Sequence, residues 1–202
     1  PRPRGGLAPV TDLDSSSTTY GPSAILTPAN IVTLVRLAAA PVAFSMMLTD
    51  PNQSSWPLAA LWFVLSTSDM LDGTLARKQG TTRSGAFLDP LADKVLTIGG
   101  IAVMCVEGRF PWIALVLIVV REVAVSVFRS VYVRRGLAVP ASKIAKWKAF
   151  LQMGAVGWVT VPLTESQHWL SLGTLWVGVA LGLISGAQYF VAGSRAATSM
   201  AR

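Results

Sequence analysis

The sequence predicts an all-α integral membrane protein with six transmembrane helices, and three observations carry that expectation. The 202 residues are 52% hydrophobic and 13% charged, with a mean hydropathy of +0.53, too little charge and too much apolar mass for an ordinary water-soluble domain. Several apolar stretches, allowing for short polar breaks, reach the about 20 residues a helix needs to cross roughly 30 Å of hydrocarbon. The net charge of +7 is uneven, with Lys and Arg gathered in alternate breaks between those stretches.

The first span is expected from Asn30 to Leu48, after Pro28, and the second from Trp56 to Lys78, with Pro51 and Pro57 at its start. The third runs from Ser84 to Val106 and the fourth from Trp112 to Arg134, entered through Pro111. The fifth runs from Lys146 to Leu163, between Pro140 and Pro162, and the sixth from Trp169 to Ala192. These runs lack the alternation of barrel strands, and a helix satisfies its own backbone polar groups in lipid.

Basic residues occupy the N-terminal tail (Arg2, Arg4), the second break (Lys78, Arg83), the fourth (Arg134, Arg135, Lys143, Lys146, Lys148) and the C-terminus (Arg195, Arg202). The other breaks set one Arg, Arg109, against Asp50, Glu107 and Glu165. Lys and Arg beside spans stay cytoplasmic, so both termini and the even-numbered breaks are assigned to that side of a bacterial-type inner (cell) membrane. Positive charge placed this way belongs to a bilayer protein, and no nucleic-acid partner is expected.

Residues 1–27, rich in Pro, Arg, Ser and Thr, predict a flexible cytoplasmic tail and not a cleavable signal. Residues 28–194 are expected to form one six-helix domain and 195–202 a short cytoplasmic tail. Trp56, Trp62, Trp112, Trp147, Trp158, Trp169 and Trp176 fall mostly near expected span ends and are assigned as interfacial anchors. Cys105 is expected to pack as a small apolar residue, and His168 to be a solvated loop residue and not a ligand.

The chemistry is expected between Asp69 and Asp93, at the end of the second span and the start of the third. A carboxylate in hydrocarbon costs at least a few kcal/mol, so each needs a partner or a water-filled cavity. Asp69 and Asp72 are three apart and Asp89 and Asp93 four apart, spacings that put each pair on one helix face, with a short turn bringing the helices together. Against these four negative charges stand Arg77 and Lys94. A hard divalent cation, Mg²⁺ or Mn²⁺ and as a pair by preference, balances such an all-oxygen set. A salt-bridge network that only fixes helix packing is the alternative, and an expensive one. Gly73 and Ala76 leave room for a flat group to approach the backbone, or for tight helix packing.

Written out, the stretch is Asp69-x2-Asp72-Gly73-x2-Ala76-Arg77-x7-Gly85-x3-Asp89-x3-Asp93, which resembles the signature of the CDP-alcohol phosphatidyltransferases without departure at a specified position. Eight such residues coincide by accident on the order of 10⁻¹⁰ per starting point. The resemblance implies a six-helix membrane enzyme, usually a homodimer, with a cytoplasm-facing active-site cavity for a CDP-linked lipid and divalent metal. It implies that Asp69, Asp72, Asp89 and Asp93 bind metal and that Asp93 is also the general base. Gly73, Ala76, Arg77 and Gly85 would then serve the CDP-lipid. Asn30-x2-Thr33-x2-Arg36 resembles the family's first helix and adds Asn30 to that subsite.

Within the family, the acceptor alcohol is expected to be sn-glycerol 3-phosphate, taken with CDP-diacylglycerol as the donor. The segment Ser84 to Lys94, with Pro90 and Lys94, is similar to the branch that uses it, as are Arg121-Glu122-Val123, Arg129 and Pro140-Ala141-Ser142. A phosphorylated acceptor needs basic residues, and Arg121, Arg129, Lys143 and Lys146 are assigned to it. The positive-inside rule accounts for Lys148 without a substrate. Arg121 and Glu122, neighbours pointing roughly 100° apart, are not expected simply to neutralise each other. An inositol phosphate acceptor, or phosphatidylglycerol as in cardiolipin synthesis, remains the alternative, and a transporter the distant one. A transporter would place its charges at the midplane, whereas these crowd one cytoplasmic edge.

Overall fold

The computed structural model describes residues 28–79, 85–134 and 143–200, without the side chains of 28, 29, 69–79, 85–87, 89, 129, 132–134, 143–146 and 192–200. The described residues form six α-helices and no strand: α1 Pro28–Thr49, α2 Trp56–Gln79, α3 Gly85–Val106, α4 Trp112–Arg134, α5 Lys143–Thr160 and α6 His168–Met200. The all-α expectation holds. The first four helices lie within two residues of their expected limits. α5 begins at Lys143 and ends at Thr160, three residues earlier at each end than the apolar run suggested, and α6 continues to Met200.

Among the described residues, two helices are long and apolar enough to cross a membrane by length and composition, Asn30–Thr49 and His168–Val191, and α2 is apolar over Trp56–Ser68. Charged residues interrupt the other three, among them Asp93 and Lys94 in α3, Arg121 and Glu122 in α4 and Lys148 in α5. The outward face of α4 nevertheless stays apolar, exposing Ile113, Val116, Val120, Val123, Val127 and Val131 at helical spacing. A bundle with an apolar outside and charges within inverts the pattern of a water-soluble protein.

α1 lies against α2 and α3, α5 against α6, and α4 against α6 and α3, while α5 also meets α2 and α3. Two adjacent glycines on α3 admit aromatic rings from different neighbours. A Cβ on Gly99 would stand 2.6 Å from Cζ of Phe44 in α1, and one on Gly100 would stand 2.5 Å from Cη2 of Trp62 in α2. Trp62 is 3% exposed, and its indole N–H donates to the carbonyl oxygen of Met153 in α5 at 3.1 Å. It is therefore a core residue and not the interfacial anchor expected of it. Trp56, Trp112, Trp147, Trp158, Trp169 and Trp176 are exposed. Cys105 is buried among apolar neighbours, as expected.

At one end of the bundle the turns are stapled together. Gln53, buried with φ of 52°, accepts from Nε of Arg109 at 2.6 Å and donates to Glu107 at 3.2 Å, and Arg109 also donates to the Asn52 carbonyl at 3.1 Å. His168 is the first residue of α6, not a loop residue, and its Nε2 lies 3.5 Å from Nη1 of Arg109. Many of the buried polar side chains lie toward the other end of the bundle, including Asn30, Thr33 and Arg36 on α1, Ser68 on α2, Lys148 and Gln152 on α5 and Ser185 on α6.

Candidate active site

Asp93 stands in the third turn of α3 and lines a cavity of about 20 Å³ with Lys94, Thr97, Ile98, Ile118, Glu122, Lys148, Ala149 and Gln152. Three helices supply this wall. On α3, Asp93 and Thr97 are four residues apart and so share a face. Lys94, turned from that face, donates to the hydroxyl of Ser126 on α4 at 2.8 Å. On α5, Lys148 and Gln152 repeat the same four-residue step, and both are buried.

Glu122 of α4 is the hub of the charges. Its Oε1 accepts from Nη1 of Arg121 at 2.6 Å and from Nζ of Lys148. The expectation that neighbouring Arg121 and Glu122 would not neutralise each other is corrected here: the guanidinium is long enough to bend back over the backbone step that separates the two Cβ directions. Asp93 is close enough to attract the Lys148 ammonium. These side chains are largely removed from water, Arg121 at 9%, Glu122 at 16% and Lys148 at 11% exposure, so each charge depends on its partners.

α6 makes this packing feasible. Arg121 donates from Nε to the Gly182 carbonyl at 3.0 Å and from Nη2 to the Ser185 hydroxyl at 2.5 Å. A Cβ on Gly178 would meet Gln152 Cγ at 3.1 Å, one on Gly182 would meet Lys148 Cδ at 3.3 Å, and one on Gly186 would meet Arg121 Cγ at 3.4 Å. The Gly178-x3-Gly182-x3-Gly186 stripe is thus the floor on which the polar side chains of α4 and α5 lie. Sequence reasoning passed over this span. The four-residue glycine spacing was the signal that pointed to it.

The remaining expected site residues divide as follows. Asn30 is buried near the start of α1. Asp69, Asp72, Gly73, Ala76 and Arg77 belong to the last turns of α2, Gly85 and Asp89 to the start of α3, Arg129 to α4, and Lys143 and Lys146 to the start of α5. Their side chains lie outside the described residues. Of the metal-binding aspartates assigned from sequence, Asp93 is the one whose surroundings are described.

Residues 26–184 match the family model for CDP-alcohol phosphatidyltransferases. The chain is similar to a probable phosphatidylglycerophosphate synthase of Mycobacterium tuberculosis, at 36% identity over 80% of this chain and 78% of that one. It is also similar to proteins named CDP-diacylglycerol–glycerol-3-phosphate 3-phosphatidyltransferase. That of Rickettsia bellii is 35% identical over 81% of this chain and 93% of its own length. That of Bacillus subtilis is 32% identical over 80% of this chain and 92% of its own length. With the signature from Asp69 to Asp93 wholly inside the matched region, the chain belongs to the CDP-alcohol phosphatidyltransferase family.

Proposed function

We propose that this protein transfers the phosphatidyl group of CDP-diacylglycerol to sn-glycerol 3-phosphate, forming phosphatidylglycerophosphate and CMP in phospholipid synthesis. One observation carries the proposal: the unbroken signature lies in a chain whose relatives at 30–36% identity bear the names of that transferase. The surroundings of Asp93 are in keeping with it, a carboxylate on the wall of a charged cavity toward the polar end of the bundle.

Asp93 takes the proton of the acceptor hydroxyl, whose oxygen then forms a bond to the phosphorus that carries diacylglycerol. The pyrophosphate P–O bond breaks and CMP departs. Gly73 and Ala76 make room for the cytidine, with Asn30, Arg77 and Gly85 alongside the CDP-lipid. Arg129, Lys143 and Lys146 hold the acceptor phosphate by charge-assisted hydrogen bonds. Arg121 is assigned to that pocket too, though three of its five N–H donors already serve Glu122, Gly182 and Ser185.

The donor set suits a divalent cation. Asp69 and Asp72 end one helix and Asp89 and Asp93 begin the next, four carboxylates of the hard oxygen type that Mg²⁺ and Mn²⁺ prefer. Such an ion, or a pair, supplies positive charge that offsets the pyrophosphate and the departing phosphate. All six helices cross the bilayer, with both termini and the site on the cytoplasmic side. The apolar outer face of α4 and the alternation of basic breaks support that orientation. The working unit is a homodimer.

An acceptor panel tests the proposal. Purified protein receives CDP-diacylglycerol with Mg²⁺ or Mn²⁺ and either glycerol 3-phosphate, inositol phosphate, phosphatidylglycerol or serine, and CMP and lipid product are measured. CMP release with glycerol 3-phosphate alone is the expected result. Release with another alcohol replaces the acceptor, and no release from folded protein with any of them overturns the activity.

A further inference from the structure

The hydroxyl of Thr97 is buried, its residue 6% exposed, and Oγ1 has no hydrogen-bond partner among the described residues. Left so, it would be a rarity, because buried polar atoms in folded proteins nearly always find a partner. Thr97 is also on the wall of the cavity of about 20 Å³ beside Asp93. The cavity admits water, and a water held there needs two to four polar partners. Thr97, Gln152, Glu122, Asp93 and Lys148 offer more than enough donors and acceptors. The lining carries two carboxylates, Asp93 and Glu122, and two ammonium groups, Lys94 and Lys148, so the charges of the wall balance without a further ion.

We infer that this cavity is a built site for ordered water, and that through it Thr97 is a positioning residue for Asp93. The water accepts from or donates to the Thr97 hydroxyl and joins it to the carboxylate and ammonium groups on the facing helices. One turn separates Thr97 from Asp93 on α3, so a bond network anchored at Thr97 holds that face of α3 in register with the Glu122–Lys148 pair. The water-site half of the inference stands on the cavity itself, and the positioning half rests on the proposed role of Asp93 as base.

The test compares Thr97→Val, which keeps the shape and removes the hydroxyl, with Thr97→Ser, which keeps the hydroxyl. If a water completes the hydroxyl, Thr97→Val strands that water among the remaining polar groups and lowers the thermal midpoint in detergent by about 2–4 °C. If the hydroxyl has no partner, the same change removes an unsatisfied group and raises the midpoint, which overturns the water site. For positioning, Thr97→Val is expected to lower kcat about tenfold with both KM values unchanged, and Thr97→Ser to restore it. Equal kcat in Thr97→Val and wild type overturns the positioning role. Wild-type protein that releases no CMP overturns the proposed function, and the sign of the thermal shift then still decides the water site on its own.

Discussion

Arg121 on α4 donates its Nε–H to the backbone carbonyl of Gly182 on α6 at 3.0 Å, placing a guanidinium directly against the backbone of another helix inside the bundle. That approach requires glycines at its edges, because a Cβ on Gly186 would already press on Arg121 at 3.4 Å. Removing the guanidinium by Arg121→Ala therefore unties α4 from α6 and leaves Glu122 with Lys148 alone. The thermal midpoint in detergent should fall by about 5 °C or more. An unchanged midpoint with a raised KM for glycerol 3-phosphate would instead make Arg121 chiefly an acceptor contact.

Glu122 neutralises two cations, so its loss is felt twice. Glu122→Ala should cost about 3–5 kcal/mol by taking the paired carboxylate from Arg121 and leaving Lys148 with Asp93 as its remaining counter-charge. Pairing Glu122→Gln with Lys148→Met removes one charge of each sign and should recover most of that stability. Thermal or denaturant unfolding of both variants measures it, and a fully stable Glu122→Ala would remove the pair from the scaffold.

Asp93→Asn takes away the proposed base and one proposed metal ligand while keeping the side chain's size. CMP release should fall by at least about 10²-fold, with CDP-diacylglycerol binding largely retained. Chelation of divalent ions should likewise stop CMP release in wild type, and added Mg²⁺ or Mn²⁺ should restore it. Near-normal turnover in Asp93→Asn would move the base elsewhere.

Gly100→Ala tests the aromatic joint between α2 and α3. Its Cβ would lie 2.5 Å from the Trp62 ring, which must shift and strain its bond to Met153. Overpacking of this kind costs about 1–3 kcal/mol. A midpoint equal to wild type would mean that the ring can move freely.

Arg109→Met opens the staple at the end of the bundle remote from Asp93. It should lower the midpoint by a few degrees at about 1 kcal/mol per lost bond, leaving kcat unchanged. A large fall in kcat would tie that end to the reaction.

The sequence by itself determined six helices and the family. Apolar runs bounded by Pro51, Pro111 and Pro162 mark helices locally, and the aspartate signature needs no three-dimensional information to be recognised. Its site residues were legible only as types at spacings, because the same spacing serves a metal site or a packing network equally well. The tertiary structure decided what lies opposite each side chain. It turned Trp62 inward because Gly100 offers its ring a place, and it joined Arg121 to Glu122 because a long side chain can reach beyond the direction of its Cβ. It gave α6 its part in the site through Gly178, Gly182 and Gly186, whose meaning depends on the helices laid across them. Periodicity states which face of a helix is buried. Which helix covers that face is set by contacts between residues far apart in the chain, and no local pattern contains them.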